Sequence, residues 1–304
     1  FSAMPAFLDP FDDVKKYMGW NTDEFSSLSA LPMFHISAMT SLVSWSITGH
    51  SINLCNNLKY FYRDLGAMHS EVMAVVPVLL KSIYSDVMKG RRDRLNGLCV
   101  LTCGAAMFDT KMLSDMMEKG FFVAQMYGLT ETCGDGIINY AQDAKHIGAV
   151  GQGNDYLEYK LEPDGELCMR GDSIMLGYYK DPEGTAEVMD ADGWFHTGDL
   201  ARQDADGYVF LTGRKKNVII LGSGENVSPE ELEKLLVPCA DIQECIVKEK
   251  DKKICAFIYC DPAKQETVKE FVTGVNPGLP LYKGMVPEFS AQPLPRNAMG
   301  KLLR

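Results

Sequence analysis

No run of apolar residues in this sequence approaches the roughly 20 that an α-helix needs to cross a bilayer. The apolar run 72–80 is short, and it is flanked by Glu71 and Lys81. No basic residue precedes the apolar residues at the amino terminus, so this region does not have the pattern of a secretory signal. The sequence therefore predicts no transmembrane segment.

Closely spaced cysteines and excess positive charge are also missing. None of the nine cysteines forms a CxxC pair, so we expect reduced, mostly buried thiols in a cytoplasmic protein and no cysteine-bound metal. The formal net charge of −11 argues against non-specific nucleic-acid binding, which requires a cationic surface. A nucleotide site is not excluded, because such a site relies on local amides and a few cations.

The chain has 304 residues, of which 46% are hydrophobic, enough for a sizeable core and more than one domain. In residues 1–150, apolar runs that have the character of buried strands alternate with helical segments such as 109–119. The runs are SLSALPMF, HSINLC, VMAVVP, GLCVLTC and GFFVAQM. This alternation predicts an α/β layered sheet, here a partial nucleotide- and acyl-binding lobe.

Two further regions with different sequence patterns follow along the chain. Residues 151–213 contain short apolar stretches joined by Asp-Gly pairs, the hairpin signal of an antiparallel, β-barrel-like subdomain. Residues 214–304 predict a mobile α+β carboxyl-terminal domain. One of its helices should begin at Pro229, with Ser228 as the N-cap.

The first candidate site segment joins two predicted strands. One strand ends at Gly104-Ala105-Ala106, where small residues let a flat ring approach the backbone. The next strand leads into the sequence MYGLTET. Tyr127 can stack on a base, Thr130 can bind a phosphate, and Glu131 can hold Mg²⁺. The simpler alternative is a strand-to-loop turn with an exposed Thr-Glu pair.

Two more segments carry candidate polar groups. Asp199, expected on a tight turn in the sequence HTGDL, can accept hydrogen bonds from ribose hydroxyls, and Arg214 offers a planar fork for oxygen ligands. Lys301 follows Gly300 in a predicted loop, where a lysine can reach a carboxylate and a phosphate together. Solvated hairpin turns and a solvated terminal lysine are the simpler alternatives.

Together these segments resemble the adenylate-forming superfamily, which includes acyl-CoA synthetases, adenylation domains of peptide synthetases and firefly luciferase. The resemblance runs from about Leu31 onward in family order, through the sequences LPMFH, YGLTE, HTGDL, GRKKNVI and PRNAMGK. It implies ATP, Mg²⁺ and coenzyme A as cofactors. It also implies a nucleotide site formed by Gly104, Ala105, Ala106, Met126, Tyr127, Gly128, Asp199, Leu211 and Arg214.

The resemblance implies separate roles for other positions. Thr130 contacts the α-phosphate, Glu131 orders Mg²⁺, and Lys301 bridges the acyl carboxylate and the α-phosphate. Lys216 matches the hinge, and His35 matches a residue near the acyl pocket. The thiol tunnel is bordered by Gly222, Ser223 and Gly224.

One family feature is not found. A Ser/Thr/Gly-rich phosphate loop ending in lysine should precede LPMFH, yet Gly19 is the only glycine in residues 1–30. The resemblance therefore implies a carboxyl-terminal portion: a fragment, a truncated gene product or a chain completed by another. We expect these 304 residues alone to have little adenylation activity, because the β- and γ-phosphates lack their cradle.

The function that the resemblance implies is that of an AMP-forming acyl-CoA synthetase, an acid–thiol ligase acting on a medium- or long-chain fatty acid. Its partners would be the acid, ATP and coenzyme A. Two alternatives stay open at this point. One is an acyl-AMP ligase that loads the pantetheine of a carrier protein, and the other is a non-catalytic nucleotide- or acyl-binding fragment.

Overall fold

A computed structural model describes residues 14–19, 25–55, 57–104, 108–134, 136–153, 157–222, 224–296 and 302–304. The chain forms two compact units. The first comprises Phe1–Thr197 with Arg202–Leu211, and the second comprises Gly198–Ala201 with Thr212–Arg304. The three-domain division predicted from the sequence stays a prediction beside these units. None of the helices in the described residues combines the length and apolarity that crossing a membrane requires.

The first unit is built on a six-stranded sheet of order β2-β1-β3-β4-β5-β6. The strands are β1 Ser26–Ser29, β2 Ser51–Leu54, β3 Val72–Val75, β4 Val100–Cys103, β5 Phe122–Gly128 and β6 Gly136–Asn139. The first five pair in parallel, and β6 joins β5 antiparallel. The five predicted strands are therefore confirmed, and the sheet is of the α/β type.

Two details of that prediction are wrong. β1 ends at Ser29 and does not continue to Phe34, because Pro32 follows and the next helix begins at Ile36. β2 is not buried: it lies at the edge of the sheet, and both of its end residues are exposed.

Four helices connect these strands: α1 Ile36–Thr48, α2 Phe61–Ala67, α3 Pro77–Met88 and α4 Thr110–Glu118. The predicted helix at 109–119 is confirmed as α4, and Asp109 caps it by accepting hydrogen bonds from the amides of Lys111 and Met112. The core between helices and sheet contains fully buried side chains that include Leu28, Met73, Leu80, Ile83, Leu101, Leu113, Met116 and Phe121. Each such side chain contributes about 1.5–3 kcal/mol by leaving water.

A second sheet has four strands in the order β10-β9-β8-β7. They are β7 Leu157–Leu161, β8 Glu166–Gly171, β9 Phe195–Gln203 and β10 Val209–Arg214, and the short helix α5 Pro182–Val188 lies between β8 and β9 in sequence. β7 and β8 form the antiparallel hairpin that the first Asp-Gly pair predicts. The last Asp-Gly pair lies in the turn closed by the hydrogen bond from the Asp204 amide to the Tyr208 carbonyl.

The second unit continues with β11 Ile219–Ile220, β12 Asn226–Val227, α6 Pro229–Leu236, β13 Ile242–Lys250, β14 Lys253–Cys260, α7 Gln265–Val275 and β15 Met285–Ser290. Ser228 caps α6 as predicted, since its side chain accepts from the Glu231 amide. β13 pairs antiparallel and β15 parallel with β14. β15 is missing from the prediction because it contains Pro287, which an edge strand tolerates.

Candidate active site

The carboxyl ends of β4 and β5 meet at the first candidate segment. The two strands pair in parallel with Cys103 beside Gln125. A Cβ placed on Gly104 would lie 3.3 Å from the carbonyl oxygen of Met126, so the two backbones approach closely there. The structure thus brings Gly104 and Met126 together, whereas Ala105 and Ala106 lie outside the described residues.

Tyr127 lies in β5 and is only 9% exposed. On its other side β6 approaches closely, because a Cβ on Gly136 would overlap the carbonyl oxygen of Tyr127. Gly128, half-buried, pairs with Gly136 at the end of the same ladder. Two glycines facing each other let β5 end beside its partner without side chains between the backbones.

A single 3₁₀ turn, Thr130–Thr132, follows β5. Thr132 is fully buried and fixes this turn, because its hydroxyl accepts from the Leu129 amide at 2.9 Å and donates to the Leu129 carbonyl at 3.1 Å. Thr130 remains exposed, Glu131 is half-buried, and Cys133 is exposed in a left-handed conformation with φ of 56°. The turn therefore presents the two predicted phosphate and metal ligands and buries the third residue.

Glu131 is held by a segment that sequence reasoning did not single out. Its side-chain Oε1 accepts a hydrogen bond from the Tyr178 hydroxyl at 2.9 Å, and its carbonyl accepts from the Met175 amide at 2.8 Å. The signal in the sequence is GYYKDPEGT, in which Pro182 is the first residue of α5.

His35 begins the helix that lies beside this turn. Its Nδ1 accepts a hydrogen bond from the Ser37 amide at 3.3 Å, so His35 is the N-cap of α1. A Cβ on Gly134 would lie 3.3 Å from Ile36, which places the start of α1 next to the turn after β5. The predicted role of His35 at an acyl pocket stays a prediction.

In the second unit, Asp199 does not lie on a tight turn, and that expectation is wrong. Gly198 and Asp199 lie inside β9, where Gly198 has φ of 69°. The buried residues of this strand alternate, and Asp199 is one of them at 5% exposure. Gly-Asp normally marks a turn, but glycine also accepts this φ within a strand. Asp199 is therefore a buried carboxylate rather than a loop residue.

Arg214 is the partner of that carboxylate. Its Nε lies 2.6 Å from Oδ1 of Asp199, and its Nη2 lies 3.3 Å from Oδ2. This is a forked guanidinium–carboxylate pair, which orients both groups. The structure thus brings together the two predicted nucleotide ligands of this unit.

Four of the remaining predicted positions, namely Leu211, Lys216, Gly222 and Gly224, lie on turns and strands of their own units. Leu211 is half-buried in β10 of the first unit. In the second unit, Lys216 is exposed on the 3₁₀ turn Lys215–Asn217, and Gly222 and Gly224 lie in the turn between β11 and β12. Gly224 has φ of 96° there. Ser223 and Lys301 lie outside the described residues.

One polar cluster in the four-stranded sheet has donor types that metals use. Nδ1 of His196 lies 3.3 Å from the Cys168 sulfur and 3.2 Å from a Glu166 oxygen. Burial, followed by the charge of Glu166, raises the pKa of the Cys168 thiol to about 12. The protonated thiol can donate to the imidazole, so hydrogen bonding accounts for the cluster. The prediction of mostly buried cysteines is confirmed, since six of the nine are buried.

Comparison with known proteins decides the family. The family model described as AMP-binding enzyme matches residues 7–179, more than half of the chain. The chain belongs to this family. The adenylate-forming resemblance drawn from the sequence is thereby confirmed.

Curated relatives of this family member are CoA ligases with different acids. The chain is 28% identical to a long-chain-fatty-acid–CoA ligase of Mycobacterium tuberculosis, over 91% of the chain and 58% of the relative. It is 32% identical to a 2-methylpropanoate–CoA ligase of Humulus lupulus, over 90% of the chain and 55% of the relative. The chain therefore spans little more than half the length of these relatives.

Solved structures agree in fold. An o-succinylbenzoate CoA synthetase from Bacillus subtilis in complex with its acyl-adenylate intermediate matches all of this chain and 64% of its own, with a TM-score of 0.81 and 25% identity. The same enzyme in complex with ATP and magnesium ion matches with a TM-score of 0.79. The family member described here thus has an adenylate-forming fold.

Proposed function

We propose that the protein with this chain is an AMP-forming acid–thiol ligase that converts a carboxylic acid to an acyl-adenylate and then to a CoA thioester. One observation carries the proposal. In a chain of the AMP-binding family, Gly104, Tyr127 and the Thr130–Glu131 turn meet where β4 and β5 end. Ligands of open α/β sheets bind outside the carboxyl ends of strands.

In the first half-reaction, a carboxylate oxygen of the acid attacks the α-phosphorus of ATP and pyrophosphate leaves. The exposed Thr130 hydroxyl donates to an α-phosphate oxygen, where negative charge develops. Mg²⁺ would neutralise phosphate charge, and the half-buried carboxylate of Glu131 suits this hard cation. Asp199 binds the ribose hydroxyls and Arg214 reaches ribose and phosphate oxygens. Lys301 pairs with the reacting carboxylate and the α-phosphate.

In the second half-reaction, the pantetheine sulfur attacks the acyl carbonyl, AMP leaves, and the thiol proton passes to solvent. We assign Lys216 as the hinge that exchanges the two half-reactions, because it lies exposed on the short turn that follows β10. The pantetheine passes the turn that contains Gly222 and Gly224, and Ser223 borders the same tunnel. His35 lies near the acyl group, and we propose a medium- or long-chain fatty acid as that group, as in one of the relatives.

The second half-reaction offers the direct test, because acyl-AMP supplied from outside needs no binding of the β- and γ-phosphates. The chain is incubated with acyl-AMPs of different chain length and CoA, and acyl-CoA is quantified. We expect thioester formation that is fastest with a medium or long acyl chain. Formation only with a pantetheine-bearing carrier protein would favour the ligase that loads such a protein. AMP binding without any thioester would indicate a non-catalytic fragment.

Two lysine variants separate the half-reactions. Lys216→Pro should slow thioester formation strongly, since proline fixes φ near −65° and removes an N–H at the proposed hinge. Lys301→Ala should leave thioester formation from supplied acyl-AMP close to that of the unmodified protein. If both variants lose thioester formation from supplied acyl-AMP to the same extent, this division of roles is wrong.

A further inference from the structure

The sequence GYYKDPEGT folds into a hydrogen-bonded turn after β8 that leads into α5. Gly177 has φ of 146°, and a Cβ there would lie 2.9 Å from the methyl group of Thr185. The Thr185 hydroxyl accepts from the Tyr178 amide at 2.8 Å and donates to the Asp181 carbonyl at 2.8 Å. The Asp181 side chain in turn caps α5 by accepting from the Gly184 amide at 2.8 Å. The backbone of Tyr178 is therefore fixed from several sides.

This turn holds Glu131, which lies 47 residues earlier in the sequence. The Tyr178 hydroxyl donates to Oε1 at 2.9 Å, and the Met175 amide donates to the Glu131 carbonyl at 2.8 Å. Within the described part of the chain, the carboxylate of Glu131 has this one hydrogen bond, so its Oε2 accepts none. One oxygen is oriented and the other is left for a ligand.

The chemistry of the pair suits a metal ligand. A tyrosine hydroxyl is a neutral hydrogen-bond donor at neutral pH, and Tyr178 donates to Glu131 in this form. A neutral donor orients the carboxylate but leaves its negative charge for a cation. Metal-binding carboxylates are commonly oriented by such hydrogen bonds.

We propose that Tyr178 is a positioning residue for Glu131: its hydroxyl fixes the carboxylate in the orientation that binds the magnesium ion of ATP·Mg²⁺. This inference rests on the proposed function, in which Glu131 is the metal ligand. Tyr178 itself touches neither nucleotide nor metal in this proposal.

The test compares Tyr178→Phe, which removes only the hydroxyl, with Tyr179→Phe as its matched control. Tyr179 is the adjacent residue and is 88% exposed. The probe is Mn²⁺ with ATP, because Mn²⁺ prefers the same oxygen ligands and its binding is read by electron paramagnetic resonance. Affinity for AMP without metal is measured by calorimetry on the same proteins.

We expect Tyr178→Phe to weaken Mn²⁺ binding in the presence of ATP by about tenfold, with unchanged affinity for metal-free AMP. Glu131→Gln should weaken it at least as much, and Tyr179→Phe should not change it. If Tyr178→Phe binds Mn²⁺ as tightly as Tyr179→Phe does, while Glu131→Gln binds it weakly, the proposal for Tyr178 is wrong. The metal role of Glu131 then stands. If Glu131→Gln changes nothing, the metal role in the proposed function fails, and the proposal falls with it. If Tyr178→Phe loses affinity for metal-free AMP as strongly as it loses Mn²⁺ binding, Tyr178 has a purely structural role and the proposal is wrong.

Discussion

Arg214 contacts both carboxylate oxygens of Asp199, with Nε 2.6 Å from Oδ1 and Nη2 3.3 Å from Oδ2. This forked contact fixes the orientation of the Asp199 carboxylate. A ribose that binds Asp199 would therefore meet a carboxylate already oriented by a guanidinium group.

Replacing Asp199 by alanine should lower AMP affinity by about tenfold or more, because a hydrogen bond to a charged acceptor contributes about 1.5–3 kcal/mol. Calorimetric titration with AMP measures the effect. Asp192→Ala is the control, because Asp192 is exposed on the turn before β9. Unchanged AMP affinity in a folded Asp199→Ala protein would contradict the assignment of Asp199 to the ribose.

Gly136→Ala should damage the end of β5, because the new methyl group would overlap the carbonyl oxygen of Tyr127. We expect a loss of about 1–3 kcal/mol in unfolding free energy from overpacking, together with weaker AMP binding. Urea unfolding and calorimetry measure the two effects. Gly66→Ala is the control: Gly66 lies in α2 with open space around it, so alanine should be neutral or stabilise by up to about 1 kcal/mol. Equal stability of the two variants would show that β6 can move away.

Asp86 is 3% exposed and contacts the guanidinium groups of Arg91 and Arg94, the latter at 2.9 Å. Burial raises its pKa, but hydrogen bonds from Tyr62 and Arg91 and the nearby positive charge lower the pKa by more. Asp86→Asn should cost about 1–3 kcal/mol of unfolding free energy at pH 7, measured by urea unfolding.

The difference between Asp86→Asn and the unmodified protein should depend on pH. Because the folded-state pKa is lowered, the stabilisation is present above the unfolded pKa of about 3.9 and is lost as pH falls through the folded pKa. Asp93→Asn is the control, since Asp93 is exposed in the same region. A cost for Asp93→Asn as large as that for Asp86→Asn would show that the ion pairs are not its cause.

His146 should make stability depend on pH in the opposite sense. Its ring stacks on Tyr208, and its nitrogens lie 2.9 Å from an Asp143 oxygen and 3.1 Å from an Asp206 oxygen. The hydrogen bond to Asp143 raises the pKa of His146; burial opposes this rise, and Asp206 adds to it. The stabilisation of the folded state by protonated His146 is therefore fully present below the unfolded pKa of about 6.5. It is lost as pH rises through the folded pKa. His146→Gln should lower the melting temperature more at pH 5.5 than at pH 8, as thermal scans would measure. An equal decrease at both pH values would contradict this account.

Much of the fold could be predicted because local signals agree with the final structure. The apolar runs become β1 to β5, Asp109 caps α4, and Ser228 caps α6, since each of these depends on neighbours within a few residues. The sequence predicts Asp199 on a turn, because Gly-Asp usually marks one. Only the pairing partners of β9 show that this glycine continues a strand.

The support of the site could not be predicted in the same way. Tyr178 and Glu131 are 47 residues apart. No sequence periodicity predicts that the turn after β8 contacts the turn after β5. Thr132 belongs to the predicted ligand motif, yet it is fully buried and its hydroxyl fixes the turn. Sequence patterns indicate which groups carry charge, and tertiary packing decides which of them are oriented.

The exposure of Cys133 gives the protein a natural attachment point for a probe. The other eight cysteines are buried or half-buried, and Cys133 is exposed two residues after Glu131. Burial raises the pKa of Cys99 to about 11 and of Cys245 to about 12, which disfavours their reactive thiolates. A maleimide fluorophore should therefore attach mainly at Cys133 without any engineered residue. Its emission would then test whether nucleotide and metal bind at the turn that follows β5, as proposed.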